Sequence, residues 1–350
     1  MPTTDSAMYQ TMHRQPEDLA RLLSEGWSAA EEAAQRLSTA RRVLVVGIGT
    51  SYHAAVAGGW LLRAAGCDAR AVSSFDFSVY PESFVVTAED AVIIMAHSGV
   101  KTYSSLALER AAEVGATRMS VGSLTAEHAG SQQVLRTVER ETSAAFTASH
   151  LAAMTVLAQV ATALGESRNA PATRGFRASL QALPGQVREA LAREDEVRAI
   201  AEEIANKRIY ATGGGPSEAS AIEAVIKVRE AAQGWIDGLA LEQFLHGPLV
   251  AVNADDACLV VHVEGAASER TQEVARVLDA IGARMWVIGK PIERLQTFDL
   301  PFLPEVLSPL LTVVPLQMLA YHMAVLRGKN PDRFRRDDPH YAAALGLLKL

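Results

Sequence analysis

The feature that most constrains the fold of this chain is an internal repeat with an offset of 166 residues. Four pairs of positions share the offset in chain order, the last to within one residue: Gly49 and Gly215 (215 − 49 = 166), Asp90 and Asp256 (256 − 90 = 166), Gly99 and Gly265 (265 − 99 = 166), and Gly115 and Gly282 (282 − 115 = 167). Any doubly wound protein repeats strand, glycine and helix, but a nearly constant offset favours two copies of one domain. The period is far too long for a solenoid.

Each copy contains the same alternation of buried strand, glycine turn and helix. Residues 43–46 and 91–95 in the first copy, and 208–212 and 257–261 in the second, are continuous β-rich apolar runs. A turn and a helical pattern follow each first strand, and residues 104–114 form a further predicted helix. This alternation predicts an α/β fold with parallel strands.

The domain organisation follows from the repeat and from the 350-residue length, which fits about two domains. We predict a helical segment over residues 1–42, a first domain over 43–167, a linker and helix over 168–198, a second domain over 199–335 and a tail over 336–350. The linker is predicted from four breakers, Pro171, Gly175, Pro184 and Gly185.

Composition excludes several classes of protein. With 33 Lys and Arg against 40 Asp and Glu, the chain has no basic excess for nucleic acid. No run of about 18 apolar residues and no signal-peptide pattern occurs, so we expect no membrane partner. Cys67 and Cys258 lie in apolar surroundings, which is typical of reduced core residues. These features together predict a cytoplasmic protein.

Two turns of the first copy suit a phosphate. Ligands of open α/β sheets bind beyond the carboxyl ends of the strands. The turns at residues 49–51 and 98–102 lie there, and their glycines, hydroxyls, lysine and two helix starts can supply N–H and O–H donors. Taken singly, Thr50, Ser51 and Ser98 would more often be helix caps. Taken together, the two turns favour an anion site. In the second copy Pro216 replaces Thr50 and Glu264 replaces Ser98, which predicts a poor phosphate site there.

A charged set on the second copy suits proton transfer. Glu223, Lys227 and Glu230 share one helix face among apolar residues, so they form either an exposed salt-bridged stripe or a partly buried acid/base set. Spacing alone favours the exposed stripe. His246 precedes Gly-Pro on a loop after a short helix, a plausible position for proton transfer, although a lone histidine is more often structural. No histidine pair has convincing metal-ligand spacing, so we predict no metal and no cofactor.

These residues together resemble the sugar isomerase (SIS) family, and especially the isomerase half of glucosamine-6-phosphate synthase and its stand-alone relatives. Residues 49–54 are close to the family's G-T-S-Y-H-A, residues 98–102 to S-G-E-T, residues 223–230 to E-G-A-L-K-L-K-E, and residues 246–248 match H-G-P. Met8 with Gln15-Pro16 resembles the entry motif, and residues 307–309 and 315–322 resemble the C-terminal helix. The resemblance covers nearly the whole chain.

The resemblance implies two tandem flavodoxin-like SIS domains, each a three-layer α/β/α sandwich with a parallel sheet, in a homodimer. It implies a sugar phosphate ligand and 1,2-proton transfer, as in an isomerase, an amino-sugar-phosphate deaminase or a fructosamine-6-phosphate deglycase. Glu230 would be the base, His246 would open the sugar ring from across the dimer, and Glu223 and Lys227 would orient the helix face. The implied phosphate and substrate site comprises Gly49, Thr50, Ser51, His97, Ser98, Gly99, Lys101 and Thr102.

Four departures separate the chain from the synthase pattern. Pro2 stands where a nucleophilic cysteine would follow Met1, so we expect no glutaminase activity. Ala96 and His97 replace a serine and a glutamine, and Thr102 comes one residue late. The tail lacks the family's ending with its sugar-contacting lysine, and Lys349 has no matching context. Binding of a sugar phosphate without catalysis, as in a sensor, is the alternative.

Overall fold

A computed structural model describes residues 5–348, and Met1, Pro2 and Lys349 therefore lie outside the described part of the chain. By internal contacts the described residues form two units. The first-copy unit comprises residues 15–140 and 148–184. The second-copy unit comprises residues 5–14, 141–147 and 185–348.

The first half of the chain contains three opening helices, a set of alternating strands and helices, and a long buried helix. The bounds are α1 Ala7–His13, α2 Gln15–Glu25, α3 Trp27–Leu37, β1 Val43–Gly47, α4 Thr50–Ala64, β2 Ala69–Ser73, α5 Ser74–Val79, β3 Ala91–Met95, α6 Thr102–Glu113, β4 Thr117–Gly122, β5 Gln133–Arg136 and α7 Ala148–Ser167.

The second half repeats the strand–helix alternation after two connecting helices. The bounds are α8 Phe176–Ala192, α9 Glu194–Ile204, β6 Ile209–Gly213, α10 Glu218–Lys227, β7 Ile236–Ala240, α11 Leu241–Leu245, β8 Ala257–His262, α12 Ser268–Ile281, β9 Arg284–Gly289, β10 Thr297–Asp299, α13 Pro309–Leu326 and α14 Pro339–Leu345. A π-helical turn, Val228–Ala232, continues α10 directly.

Each unit contains a parallel five-stranded sheet, and the two sheets have the same strand order. The order is β2-β1-β3-β4-β5 in the first-copy unit and β10-β9-β8-β6-β7 in the second, which is the same sequence of strands read from the opposite edge. This is the flavodoxin-like order, in which the chain reverses direction across the sheet beside its first strand. The predicted α/β class with parallel sheets is confirmed.

The repeat of the sequence corresponds to repeated structural details. Gly49 and Gly215 both adopt a left-handed backbone, with φ of 57° and 55°, directly after the first strand of their sheets. Asp90 accepts hydrogen bonds from Arg42 and from the Thr87 backbone N–H. Asp256 accepts the same two bonds from Arg208 and from the Asn253 N–H. Both aspartates are buried, so each copy fixes the start of a central strand with the same ion pair.

The helical elements at the domain edges are interrupted at other places than the breakers suggest. The helical segment predicted over residues 1–42 contains α1, α2 and α3, and α2 and α3 are separated at Gly26. The linker and helix predicted over residues 168–198 are mostly helix, because α8 continues through Pro184. Leu180, Leu183 and Val187 are buried along one face of α8, and this apolar stripe outweighs the two breakers. The domain boundaries given above stay predictions.

Among residues 5–348, two helical segments are long and apolar enough to cross a membrane, although neither is an uninterrupted apolar run. They are Ala148–Ser167 and Glu305–Leu326, and 94% and 89% of their most apolar windows are buried inside the protein. Such burial is typical of core helices.

Candidate functional site

In the first-copy unit the candidate phosphate residues follow β1 and β3, the two neighbouring strands between which the strand order reverses. Ligands of doubly wound sheets bind at this reversal. After β1, Gly49 is the N-cap of α4, and its carbonyl accepts the N–H groups of Tyr52 and His53. Thr50 and Ser51 form the first turn of α4 and are half-buried.

Two hydroxyls of this region, those of Ser51 and Ser98, are available to a ligand. Ser51 and Ser98 are half-buried, and neither hydroxyl has a hydrogen-bond partner among residues 5–348. The interpretation of these residues as simple helix caps is therefore wrong for both. The N-cap positions belong to Gly49 and Lys101, and the hydroxyl of Ser104 accepts the Lys101 backbone N–H at the start of α6.

The turn after β3 is held open by a glycine. Gly99 has φ of 95°, and a Cβ there would lie 3.0 Å from the Glu127 carbonyl oxygen, so a side chain would be strained and crowded. The Val100 N–H donates to the same carbonyl. Lys101 is exposed, and Thr102 is the exposed first residue of α6. The turn thus presents its serine, lysine and threonine around a permissive backbone.

A histidine and a serine near this turn were missed by the sequence analysis. His128 and Ser123 are buried, and neither ring nitrogen of His128 nor the Ser123 hydroxyl has a partner among residues 5–348. Burial, with Arg136 and His97 nearby, lowers the pKa of His128 to about 4, so its ring is neutral at neutral pH. His97 is half-buried, and its carbonyl accepts the Ser123 N–H. No local pattern marked His128, because its burial depends on Gly122, where a Cβ would overlap the ring.

The equivalent turn of the second copy is already occupied by an anion of the protein itself. The Glu305 carboxylate accepts the Ala266 N–H at 3.0 Å and the Ala267 N–H at 3.3 Å, just before α12. Gly265 permits this approach, since a Cβ there would lie 2.2 Å from the Glu305 carboxyl carbon. The carboxylate takes the place that a phosphate would take at a helix start.

The charged set of the second copy is buried. Glu223 and Lys227 are at most 1% exposed, and the Lys227 Nζ lies 3.5 Å from Glu223 Oε1 and 2.8 Å from Glu230 Oε2. The interpretation that spacing alone favoured, an exposed salt-bridged stripe, is therefore wrong. The helix packs between β6, β7 and α13, so Glu223 and Lys227 lie inside the protein.

A third carboxylate completes the charge set, and the sequence analysis missed it. Glu141 is buried, and its two oxygens accept the Thr147 N–H. Burial alone would lower the pKa of Lys227, but Glu230 and Glu223, together with Glu141, raise it above its usual value. Lys227 is consequently a buried ammonium at neutral pH. Glu141 gave no signal because it lies 82 residues before Glu223 (223 − 141) in an irregular segment.

Glu230 is the member of this set that reaches the surface. Its side chain is 22% exposed, and it lies in the π-helical turn that continues α10. Such turns add a residue to the helical repeat and recur at functional sites. The turn ends at Gln233, whose φ is 52°. A carboxylate that is held by a buried ammonium and open on one side can take and return a proton.

His246 follows α11, as the sequence predicts, and its side chain is 77% exposed. Its Nε2 lies 3.5 Å from a Glu242 carboxylate oxygen, and Arg270 lowers the pKa of Glu242 by hydrogen bonding it. Gly247, with φ of 133°, turns the chain after it. The imidazole ring of His246 therefore lies on the surface of the second-copy unit.

The structure therefore groups the predicted site residues in two sets. The eight phosphate and substrate candidates lie in the first-copy unit, and the four acid/base candidates lie in the second-copy unit, where Glu223, Lys227 and Glu230 are in direct contact. Within residues 5–348, no group of three or more His, Cys, Asp or Glu side chains is arranged to hold a metal ion.

Comparison with known proteins gives the family. The SIS domain model matches the chain twice, over residues 36–163 and 204–327. The chain is 27% identical over 337 residues to glutamine–fructose-6-phosphate aminotransferase of Pyrococcus horikoshii, covering 94% of this chain and 56% of that protein. The chain spans about half the length of the curated relatives it matches.

Solved structures share the fold. The C-terminal domain of glucosamine-fructose-6-phosphate aminotransferase from Francisella tularensis matches with a TM-score of 0.84 at 18% identity, over 94% of this chain and 98% of that one. Glucosamine-6-phosphate deaminase from Thermotoga maritima matches with a TM-score of 0.74 at 18% identity, over 94% and 97%. Two matched SIS domains over most of its length, each built on the same parallel sheet, show that the chain belongs to the SIS domain family.

Proposed function

We propose that this protein is an enzyme that acts on a hexose or hexosamine 6-phosphate by moving a proton between C1 and C2. The observation that carries the proposal is the buried charge set, in which the Lys227 ammonium holds the partly exposed Glu230 carboxylate at 2.8 Å. Burial of an ammonium among carboxylates costs free energy, because the charged groups lose their hydration. A protein that only binds a sugar phosphate would gain nothing in return for this cost. The names of the relatives, an aminotransferase and a deaminase of amino-sugar phosphates, support the substrate class.

In the proposed mechanism the first copy binds the phosphate. The hydroxyls of Thr50, Ser51, Ser98 and Thr102 and the backbone around Gly49 and Gly99 donate to the phosphate oxygens, with Lys101 supplying a positive charge. His97 lies beside this turn and contributes to the shape of the sugar pocket. Hydroxyls and helix starts suit this task because they neutralise an anion locally in a protein whose net charge is −7.

The second copy performs the proton transfer. His246 assists ring opening, in the family manner from the partner subunit of a homodimer. The Glu230 carboxylate removes a proton from C1 or C2 of the open chain, and the electron pair forms an enediol or enolamine. Glu230 then returns the proton to the neighbouring carbon. Lys227 and Glu223 fix the carboxylate in place, and the adjacent ammonium stabilises the charge that develops on oxygen.

Three reactions share this step and differ in whether a nitrogen is present and on which carbon it lies. A ketose exchanges with its aldose directly. An amino sugar loses the C2 proton and gains one at C1, which gives a C2 imine, to which water adds and from which ammonia leaves. A fructosamine carries its amine on C1, so transfer of the proton from C1 to C2 gives a C1 imine, to which water adds and from which the amine leaves. Glu242 and Gln243 ahead of His246 favour the deaminase and deglycase types over the synthase type.

The test is incubation of the protein with glucosamine 6-phosphate, with fructose 6-phosphate plus ammonia, and with fructoselysine 6-phosphate. Ammonia, free lysine and hexose 6-phosphate are followed. We expect turnover with at least one of these and at least about a thousandfold loss of rate in Glu230→Gln, with binding retained. No turnover with any of the three, together with equal binding by wild type and Glu230→Gln, would instead support the sensor alternative.

A further inference from the structure

In each unit an arginine directly follows the long buried helix and joins the ends of two other helices. In the first-copy unit this residue is Arg168, which follows α7. Its guanidinium donates to the carbonyl of Ser38, the C-cap of α3, at 2.8 Å, and to that of Ala65, the C-cap of α4, at 3.2 Å. The last carbonyls of a helix have no donor within the helix, so these bonds satisfy groups that would otherwise lack one.

Arg327, which follows α13, holds the corresponding helix ends of the second-copy unit. Its guanidinium donates to the carbonyl of Ala205, the C-cap of α9, at 2.8 Å. It also donates to the carbonyls of Ala232 at 2.9 Å and Gln233 at 3.2 Å, which are the last residue and the C-cap of the π-helical turn. A positive charge is favourable at both helix ends. The arginine and the two helix ends that it joins therefore belong to the internal repeat.

The helices that the two arginines hold differ in length by one residue. In the first copy, the left-handed residue after α4 is Gly66, with φ of 84°, which lies 17 positions after Gly49 (66 − 49). In the second copy, the left-handed residue is Gln233, which lies 18 positions after Gly215 (233 − 215). The π-helical turn accommodates the extra residue, because its hydrogen bonds span one residue more than those of an α-helix.

The closure of this turn determines where Glu230 lies, because Glu230 is inside the turn. The turn ends at Gln233, whose left-handed backbone is unfavourable for a residue with a side chain. The Gly234 N–H donates to the Val228 carbonyl at 3.3 Å across the turn, and Arg327 holds the Gln233 carbonyl from outside. The first copy, which has no base, has no such turn at the end of α4.

We propose that Arg327 is a positioning residue for the base: it holds the π-helical turn closed, so that the Glu230 carboxylate faces the substrate while it stays on the Lys227 ammonium. This inference rests on the function proposed above. Arg327 acts through the backbone of the turn. Arg168 makes the equivalent bonds in the copy that has no base, and it is therefore a matched control.

The test compares Arg327→Ala with Arg168→Ala in the full chain. Both variants should lose similar stability in urea unfolding, because each loses its bonds to two helix ends. Only Arg327→Ala should slow the exchange of the C1 proton of fructose 6-phosphate in D2O, by about a hundredfold, because the base is misplaced. The Kd of fructose 6-phosphate, from calorimetric titration, should be unchanged in both. Arg327→Lys keeps the charge but not the fork of donors, and it should recover part of the rate.

Hydrogen exchange of the backbone amides of residues 228–234, followed by mass spectrometry, measures the turn independently of activity. It should be faster in Arg327→Ala than in the wild type and in Arg168→Ala. Unchanged amide exchange, an unchanged C1-proton rate in Arg327→Ala, or an equal loss of that rate in both variants would overturn the inference. If Arg327→Ala does not fold, Arg327→Lys takes its place in both measurements. A wild type that exchanges no C1 proton would contradict the proposed function itself, and amide exchange would still show whether Arg327 holds the turn.

Discussion

Helix α4 of the first copy and helix α10 of the second follow the first strand of equivalent sheets, and their side chains differ in kind. Ala57, Leu61 and Ala64 of the first copy stand 166 positions before Glu223, Lys227 and Glu230 (223 − 57, 227 − 61 and 230 − 64). One helix is apolar where the other holds a buried ammonium between carboxylates. The same backbone thus serves packing in one copy and acid/base chemistry in the other.

The turns after β3 and β8 also differ, and here it is the first copy that has groups free to bind a ligand. In the first copy the Ser98 hydroxyl has no partner among residues 5–348, and the turn is half-buried. In the second copy Glu305 occupies the turn at 3.0 and 3.3 Å from two backbone N–H groups. Each copy therefore has a feature that the other lacks, and variants that exchange these features test their roles.

The largest effect on stability is expected at Lys227. Lys227→Leu, which installs the first-copy residue, leaves Glu223 without its cation in the core and should cost about 3–5 kcal/mol of unfolding free energy. Replacing Glu223, Lys227 and Glu230 together by Ala, Leu and Ala should restore part of that stability, because of the buried carboxylates only Glu141 remains, and it keeps the Thr147 N–H as a donor. Urea unfolding of both variants measures this. A triple variant less stable than the single one would show that the set is needed for folding.

The next largest effect is expected from Ser98→Glu, which installs the second-copy residue Glu264. A carboxylate in the phosphate turn should weaken binding of fructose 6-phosphate by about a hundredfold, through repulsion and a lost donor. Ser98→Ala, which loses only the hydroxyl, should weaken binding about tenfold. Calorimetric titration gives both constants. Equal affinity of Ser98→Glu and wild type would place the phosphate elsewhere.

A pH effect should come from His128 of the first copy. Its pKa is about 4 in the folded protein, against about 6.5 unfolded, so the unfolded chain binds a proton first as pH falls. Its contribution is complete above about pH 6.5 and is lost progressively between about pH 6.5 and 4, and the loss amounts to about 2 kcal/mol at pH 5. His128→Gln should remove that part of the slope of unfolding free energy against pH. The exposed His340→Gln should leave the slope unchanged; an unaltered slope in His128→Gln would mean that the buried ring is not the source.

The smallest effect is expected from emptying the second anion turn. In a Ser98→Glu background, Glu305→Ala should create a weak site for inorganic phosphate, about tenfold tighter than any binding in the background alone. Broadening of the phosphorus NMR signal reports it. Glu293→Ala, which removes an acid that is 88% exposed in the same unit, is the charge-matched control. No gain over this control would show that the turn lost its anion affinity for reasons other than Glu305.

The strands and the repeat could be predicted from the sequence because their signal is local. β3 is a continuous buried run with the predicted bounds, and Gly49 and Gly215, which share the 166-residue offset, both have a positive φ. The spacing of Glu223, Lys227 and Glu230 also predicted that they meet. Whether a charged helix face is buried depends on what covers it, here the sheet and α13, and spacing contains no such information.

The remaining site residues could not be predicted, because each acts through a distant partner. Glu305 reaches the turn before α12 from 38 residues beyond Ala267, and Glu141 comes from a segment whose neighbours belong to the other unit. The π-helical turn at Glu230 has no sequence signature in this chain. Such contacts depend on the tertiary fold, whereas strands and turns depend on adjacent residues.

In the proposed division between the copies, the first copy binds the sugar phosphate and the second copy moves its proton. Exchange of the C1 proton of fructose 6-phosphate for deuterium in D2O, followed by NMR, tests this division. We expect exchange by the wild type, at least about a thousandfold slower exchange by Glu230→Gln, and the same Kd for both proteins. Exchange by Glu230→Gln at the wild-type rate, or binding by the wild type with no exchange, would contradict it.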